Sequence, residues 1–194
     1  MKKIAVFASG SGTNFQAIVD SIKEGRLAAK IELLVCDKPG AKVIERASKE
    51  WVDTFVFSPK KYPEKSYFEA EIVEQLRAKN VELIVLAGYM RLIGDTLLHA
   101  YRNKIVNIHP SLLPAFPGKD AIGQAFQSGA DMTGVTIHYV DEGMDTGPII
   151  AQRELSIEPE DTLESIEEKV HRIEHEFYPQ VLQSLIASKS ENLQ

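Results

Sequence analysis

The opening stretch, residues 1–22, constrains the fold most. A short apolar run at 4–8, Ile-Ala-Val-Phe-Ala, has the unbroken hydrophobicity of a strand buried on both faces. It stops at Ser9-Gly10-Ser11-Gly12-Thr13-Asn14, and residues 15–22 then take up a helical period. Strand, glycine-rich turn and helix in that order build an anion site. Glycines let a ligand approach the backbone, free N–H groups point outward, and the helix dipole favours negative charge there. Thr13 and Asn14 add side-chain donors. Gly10-x-Gly12 also fits the first two glycines of a dinucleotide fingerprint, with Asp37 placed as a ribose acceptor would be. Phe15, however, occupies the third glycine position, where close helix packing leaves no room for bulk. A single phosphate fits this turn better than a dinucleotide.

The same rhythm continues along the chain. Apolar runs at 31–36, 54–57 and 81–87 read as further strands. Helical patterns fill 41–50 and the stretch from Pro63 to 79, where Phe68, Ile72 and Leu76 recur at spacing four. Strand alternating with helix predicts an α/β domain, Rossmann-like, with a mostly parallel twisted sheet and helices on both faces. Residues 133–140 alternate, with Val135, Ile137 and Tyr139 on one face and Thr136 and His138 on the other. His138 reads as a hydrogen-bonded supporting residue. A last strand spans 149–154. Asp161-Thr162-Leu163-Glu164 resembles a capping box, and the final helix offers Ile166, Val170, Ile173, Phe177 and Val181 to the core. Pro179 is expected to end or kink that helix, and 188–194 to fray. With no repeat and no linker, 1–194 reads as one domain. Residues 1–100 read as mainly its nucleotide- and phosphate-binding half, and 101–194 as its catalytic and folate-binding half.

The net charge of -6 argues against a general nucleic-acid or membrane surface. Anionic substrates would need locally arranged donors. Cys36 is the only cysteine, so there is no internal disulfide and no cysteine-rich metal site, and no HExxH or CxxC spacing points to a metal. The apolar run after Lys2-Lys3 ends at Ser9, too soon for a signal peptide, and no run approaches membrane-spanning length. A soluble cytoplasmic enzyme is the default.

The chemistry gathers at Asn107-Ile108-His109-Pro110-Ser111-Leu112-Leu113-Pro114. Ile105-Val106 leads in as a buried strand, so Asn107 and His109, two apart, project to one side of its end. Pro110 and Pro114 stop the strand. An amide can donate to a developing oxyanion, and an imidazole can donate or shuttle a proton. A second segment, Asp141-Glu142-Gly143-Met144-Asp145-Thr146-Gly147-Pro148, carries a carboxylate that would orient His109 if brought close. A lone histidine is more often structural; the pairing with Asn107 and the Asp145 loop sets this one apart.

NIHPSLLP, DEGMDTGPI and SGSGTN together resemble the folate-dependent formyltransferases, and within them the branch that acts on glycinamide ribonucleotide in purine synthesis. The resemblance covers nearly the whole chain. It implies 10-formyltetrahydrofolate as formyl donor and glycinamide ribonucleotide (GAR) as acceptor, an antiparallel strand near the C-terminal end, and room for a homodimer. It implies Asn107, His109 and Asp145 as catalytic residues, and Gly12, Thr13, Asn14 and Glu174 as contacts to the ribonucleotide. It implies a folate site of Lys65, Met90, Arg91, Leu92, Ile93, Asn107, Val140 and Asp141, with Arg91 able to face a carboxylate. Lys65 stands where the family usually has arginine; lysine keeps the charge and loses the bidentate geometry. His171 replaces a frequent glutamine and is left out of the site. Relatives that formylate methionyl-tRNA carry an Arg-Gly pair soon after the second proline, which this chain lacks. Two rivals remain: a formyl-folate hydrolase with water as acceptor, against which the SGSGTN loop speaks, and a non-catalytic nucleotide-binding module, in which the Asn107, His109 and Asp145 constellation would be idle.

Overall fold

A computed structural model describes residues 1–191, with side chains through 188. Seven strands form one sheet: β1 (Lys2–Ala8), β2 (Ala29–Cys36), β3 (Thr54–Val56), β4 (Leu83–Leu86), β5 (Ile105–His109), β6 (Met132–Tyr139) and β7 (Ile149–Ser156). Their order is β3-β2-β1-β4-β5-β6-β7. The first five are parallel to one another, while β6 pairs antiparallel with both β5 and β7. β6 is thus the one reversed strand. Parallel neighbours need crossovers, and α1 (Thr13–Lys23), α2 (Lys42–Lys49), α3 (Lys65–Ala78) and α4 (Asp95–Ala100) supply them. Two more helices, α5 (Ala121–Gln127) and α6 (Leu163–Glu191), complete the layers.

The strand pleat divides the core in two. Ile4, Val6 and Ala8 of β1 face Phe15 and Ile18 of α1 and Val170, Phe177 and Tyr178 of α6. Ala5 and Phe7 face the opposite layer, with Phe68, Ile72 and Leu76 of α3. The chain reverses its order between β1 and β4, which puts the crevice favoured by open sheets at the carboxyl ends of β1, β4 and β5. Tyr178, wholly buried, donates its hydroxyl to the carbonyls of Leu86 (2.8 Å) and Val106 (3.3 Å) and so fastens α6 beneath those two strand ends.

Three local expectations change. The cap of α6 pairs Thr162 with Ser165: each backbone N–H donates to the other's hydroxyl, at 2.9 and 3.1 Å. Glu164 has no part in it, and Asp161 instead binds Lys169 Nζ at 2.8 Å. Pro179 does not end the helix, which runs through it to Glu191. A proline costs a helix interior about 3 kcal/mol, and burial of Phe177, Tyr178, Val181 and Leu182 around it offsets that cost. Of the stretch expected to fray, 188–191 is helical, and 192–194 lie outside the described residues.

Candidate active site

The crevice is a cleft of about 1200 Å³. Asn107 and His109 reach it from the end of β5, as their spacing predicts. Asp145 reaches it from the loop between β6 and β7. Its backbone sits in the left-handed region, at φ 56, which aspartate tolerates better than most residues. The amide N–H of Gly118 donates to Asp145 Oδ2 at 2.8 Å and fixes the carboxylate. That same oxygen lies 3.6 Å from His109 Nδ1, within ion-pair range and beyond a direct hydrogen bond. The other ring nitrogen, Nε2, donates to the Phe116 carbonyl at 2.9 Å. Two acceptors therefore face the two nitrogens of a ring only 6% exposed.

His138, opposite Asn107 on β6, supports the amide. Its Nδ1–H donates to the Tyr139 carbonyl at 2.8 Å, which leaves Nε2 as an acceptor for Asn107 Nδ2 at 3.4 Å. Burial pushes the His138 pKa below the ordinary histidine range, against the raising effects of the Tyr139 carbonyl and Asp145, and keeps the ring neutral. The amide end of Asn107 is thus told from its carbonyl end, and its second N–H stays available.

Along the other wall run residues 88–93, with Val140 and Met144 across from them. Met90 and Leu92 are exposed there and Ile93 is buried. Arg91 lines the cleft beside Met90 and Leu92. Its Nε is bonded to Asp37 Oδ2 at 2.9 Å, so its guanidinium is tethered to the protein. Asp37 is correspondingly engaged and no ribose acceptor. Lys65 lines the cleft and spends its ammonium on the Leu92 carbonyl at 2.7 Å. Asp141 is turned into its own loop, accepting from Thr146 Oγ1 (2.6 Å) and the Gly143 N–H (3.0 Å). These bonds, the Thr146 hydroxyl first, hold its carboxyl below the usual range.

Gly12, Thr13 and Asn14 open α1 and do not themselves line the cleft. Gly12 has φ 76, and an added Cβ would lie 2.5 Å from Val43 Cγ2, so only glycine fits where α2 packs on the turn. Asn14 Nδ2 donates to Glu174 Oε2 at 2.8 Å, across 160 residues of sequence, while Asn14 Oδ1 is buried with no hydrogen-bond partner among the described residues. His171 joins them, 3.1 Å from Glu174 Oε1, and lines the cleft with Glu167. Glu174 chiefly raises the His171 pKa. His171 was left out of the site from sequence and Glu167 was not singled out; their placement one helical turn and two turns before Glu174 was the available signal.

The sheet order thus brings Asn107, His109 and Asp145 to one cleft. The chain belongs to the formyl transferase family, whose model matches residues 2–182. It is 62% identical over 186 residues to the phosphoribosylglycinamide formyltransferase of Bacillus subtilis (strain 168), covering 96% of this chain and 95% of that one. The crystal structure of glycinamide ribonucleotide transformylase 1 from Geobacillus kaustophilus aligns with a TM-score of 0.94 at 66% identity, over 95% of this chain and 98% of that one. That of phosphoribosylglycinamide formyltransferase from Bacillus halodurans aligns with a TM-score of 0.95 at 57% identity, over 99% and 98%.

Proposed function

We propose that the chain transfers the formyl group of 10-formyltetrahydrofolate to the amine of GAR, giving formyl-GAR and tetrahydrofolate. The observation that carries this reading is the cleft itself: Asn107, His109 and Asp145 on one wall, apolar Met90, Leu92 and Ile93 on another, and His171, which is joined through Glu174 to Asn14 of the phosphate-type turn. The near full-length likeness to phosphoribosylglycinamide formyltransferases supports it.

The ribonucleotide phosphate rests on the free N–H groups at the start of α1, and Glu174 with the unpartnered Asn14 Oδ1 accepts from its polar groups. The folate ring lies against Met90, Leu92, Ile93 and Val140. The GAR amine attacks the formyl carbon and its carbonyl oxygen becomes an oxyanion. Asn107 donates to it through its second N–H. His109 donates through the N–H it otherwise gives to the Phe116 carbonyl, a weaker acceptor than an alkoxide. Asp145 stabilises positive charge on His109 and serves the proton that passes from the amine to the leaving folate nitrogen.

The test is consumption of 10-formyltetrahydrofolate with and without GAR. Consumption that depends on GAR, with formyl-GAR as product, is expected. Equal rates without it would indicate the hydrolase instead.

A further inference from the structure

We propose that Asp37 is a positioning residue that locks the folate wall of the cleft, residues 88–93, to the strand end from which the phosphate turn departs. The inference rests on the reading of that wall as the folate site. Asp37 follows β2, two strands away from the β4 end it controls. Its side chain is only 7% exposed and both carboxylate oxygens are used. The Ser9 hydroxyl donates to Oδ1 at 2.5 Å, and Arg91 Nε donates to Oδ2 at 2.9 Å. Ser9 Oγ in turn accepts the backbone N–H of Met90 at 2.9 Å. The bonds close a ring: Met90 to Ser9, Ser9 to Asp37, Asp37 to Arg91, and Arg91 back to Met90 through the chain.

The ring fixes two successive residues just where the chain leaves β4. A second backbone bond, Ser9 N–H to the Gly88 carbonyl at 3.0 Å, anchors the same spot. The far end of the segment is held by another buried carboxylate. Glu69 of α3 accepts the Gly94 N–H at 2.8 Å and the Leu97 N–H at 3.3 Å, capping α4 from outside its own sequence. Between the two anchors, Met90 and Leu92 stay exposed toward the cleft. An apolar slot for a flat ring needs such fixed walls, because a loose loop would spend binding free energy on ordering itself. Ser9 also begins the turn that leads to Gly12, so the ring ties the frame of one substrate's site to that of the other.

The experiment compares the parent enzyme with Asp37→Ala, Asp37→Asn and Arg91→Gln. It reads the dissociation constants of 10-formyltetrahydrofolate and GAR, kcat, and hydrogen exchange at the Met90 amide. Asp37→Ala is expected to weaken folate binding about tenfold, roughly the loss of one charge-assisted hydrogen bond, with GAR affinity and kcat changing less. Met90 exchange should speed up. Asp37→Asn should recover part of the loss, since its amide oxygen still accepts from Ser9. Arg91→Gln alters a partly exposed side chain and tests the same ring without endangering the core. Unchanged folate affinity and unchanged Met90 exchange in both Asp37→Ala and Arg91→Gln would overturn the proposal. So would equal losses for both substrates. If the parent bound no formyl-folate, the functional reading would fail on its own; Met90 exchange in Asp37→Ala would then decide the lock, faster upholding it and unchanged overturning it.

Discussion

The two walls of the cleft are built by opposite means. Residues 88–94 leave β4 with one left-handed residue, Gly88 at φ 82, and are held by side chains from two other parts of the fold: Asp37 after β2, and Lys65 and Glu69 of α3. The catalytic wall has left-handed backbone at three non-glycine residues, Phe116 (φ 51), Asp120 (φ 54) and Asp145 (φ 56). Its segments mostly hold each other, through Gly118 to Asp145, His109 to Phe116, and Ser111 Oγ to the Ala115 and Phe116 carbonyls. Such conformations cost on the order of 1–3 kcal/mol each and gather where geometry matters more than stability. The wall proposed for folate is scaffold-held and should answer to mutation in affinity. The catalytic wall is shaped by its own backbone and should answer in rate.

Asn107→Ala sharpens the contrast most. Removing one oxyanion donor should lower kcat about 100- to 1000-fold, with folate affinity little changed, the reverse of Asp37→Ala. Steady-state kinetics beside direct binding of each substrate checks it. A loss mainly in folate affinity would erase the distinction between the walls.

A smaller effect concerns pH and stability. Burial lowers the pKa of His138 and of His175, so the folded chain resists protonating them while the unfolded chain takes up protons near the ordinary value of 6.5. Below that value the unfolded state binds more protons, and stability falls as pH drops, by at most about 1.4 kcal/mol per pH unit for each histidine. His171, raised by Glu174, acts in the opposite sense, and its 56% exposure keeps that contribution small. The melting temperature should therefore be lower at pH 5.5 than at pH 7.5, and His138→Gln should flatten the difference. A slope that His138→Gln leaves untouched would remove His138 from this account.

Features contiguous in the chain were legible. The β1 run, the glycine turn and α1 follow one another, and a two-residue spacing suffices to put Asn107 and His109 on one side of β5. Asp120 was readable as the cap of α5, where its carboxylate accepts the Gly123 N–H. Contacts made across the fold were not. Arg91 and Asp37 are 54 residues apart, and an arginine beside an apolar slot gives no local sign that a buried carboxylate already holds it. Pro179 does not end α6, because packing under the sheet around Tyr178 overrides the local propensity for a break. At the start of α6 the box expected from Asp161 to Glu164 does not form, because Lys169 and Ser165 engage the Asp161 carboxylate and Thr162 pairs with Ser165.

The central claim is that Asn107, His109 and Asp145 work on the transition state rather than on binding. Asp145→Asn tests it most directly, because asparagine suits a φ of 56 and keeps the side-chain shape while removing the charge 3.6 Å from His109. Its kcat and both substrate dissociation constants are to be measured against the parent. The expected result is a fall in kcat of about 100- to 1000-fold with affinities within about threefold. A near-normal kcat, or a loss of rate matched by an equal loss of affinity, would contradict the claim.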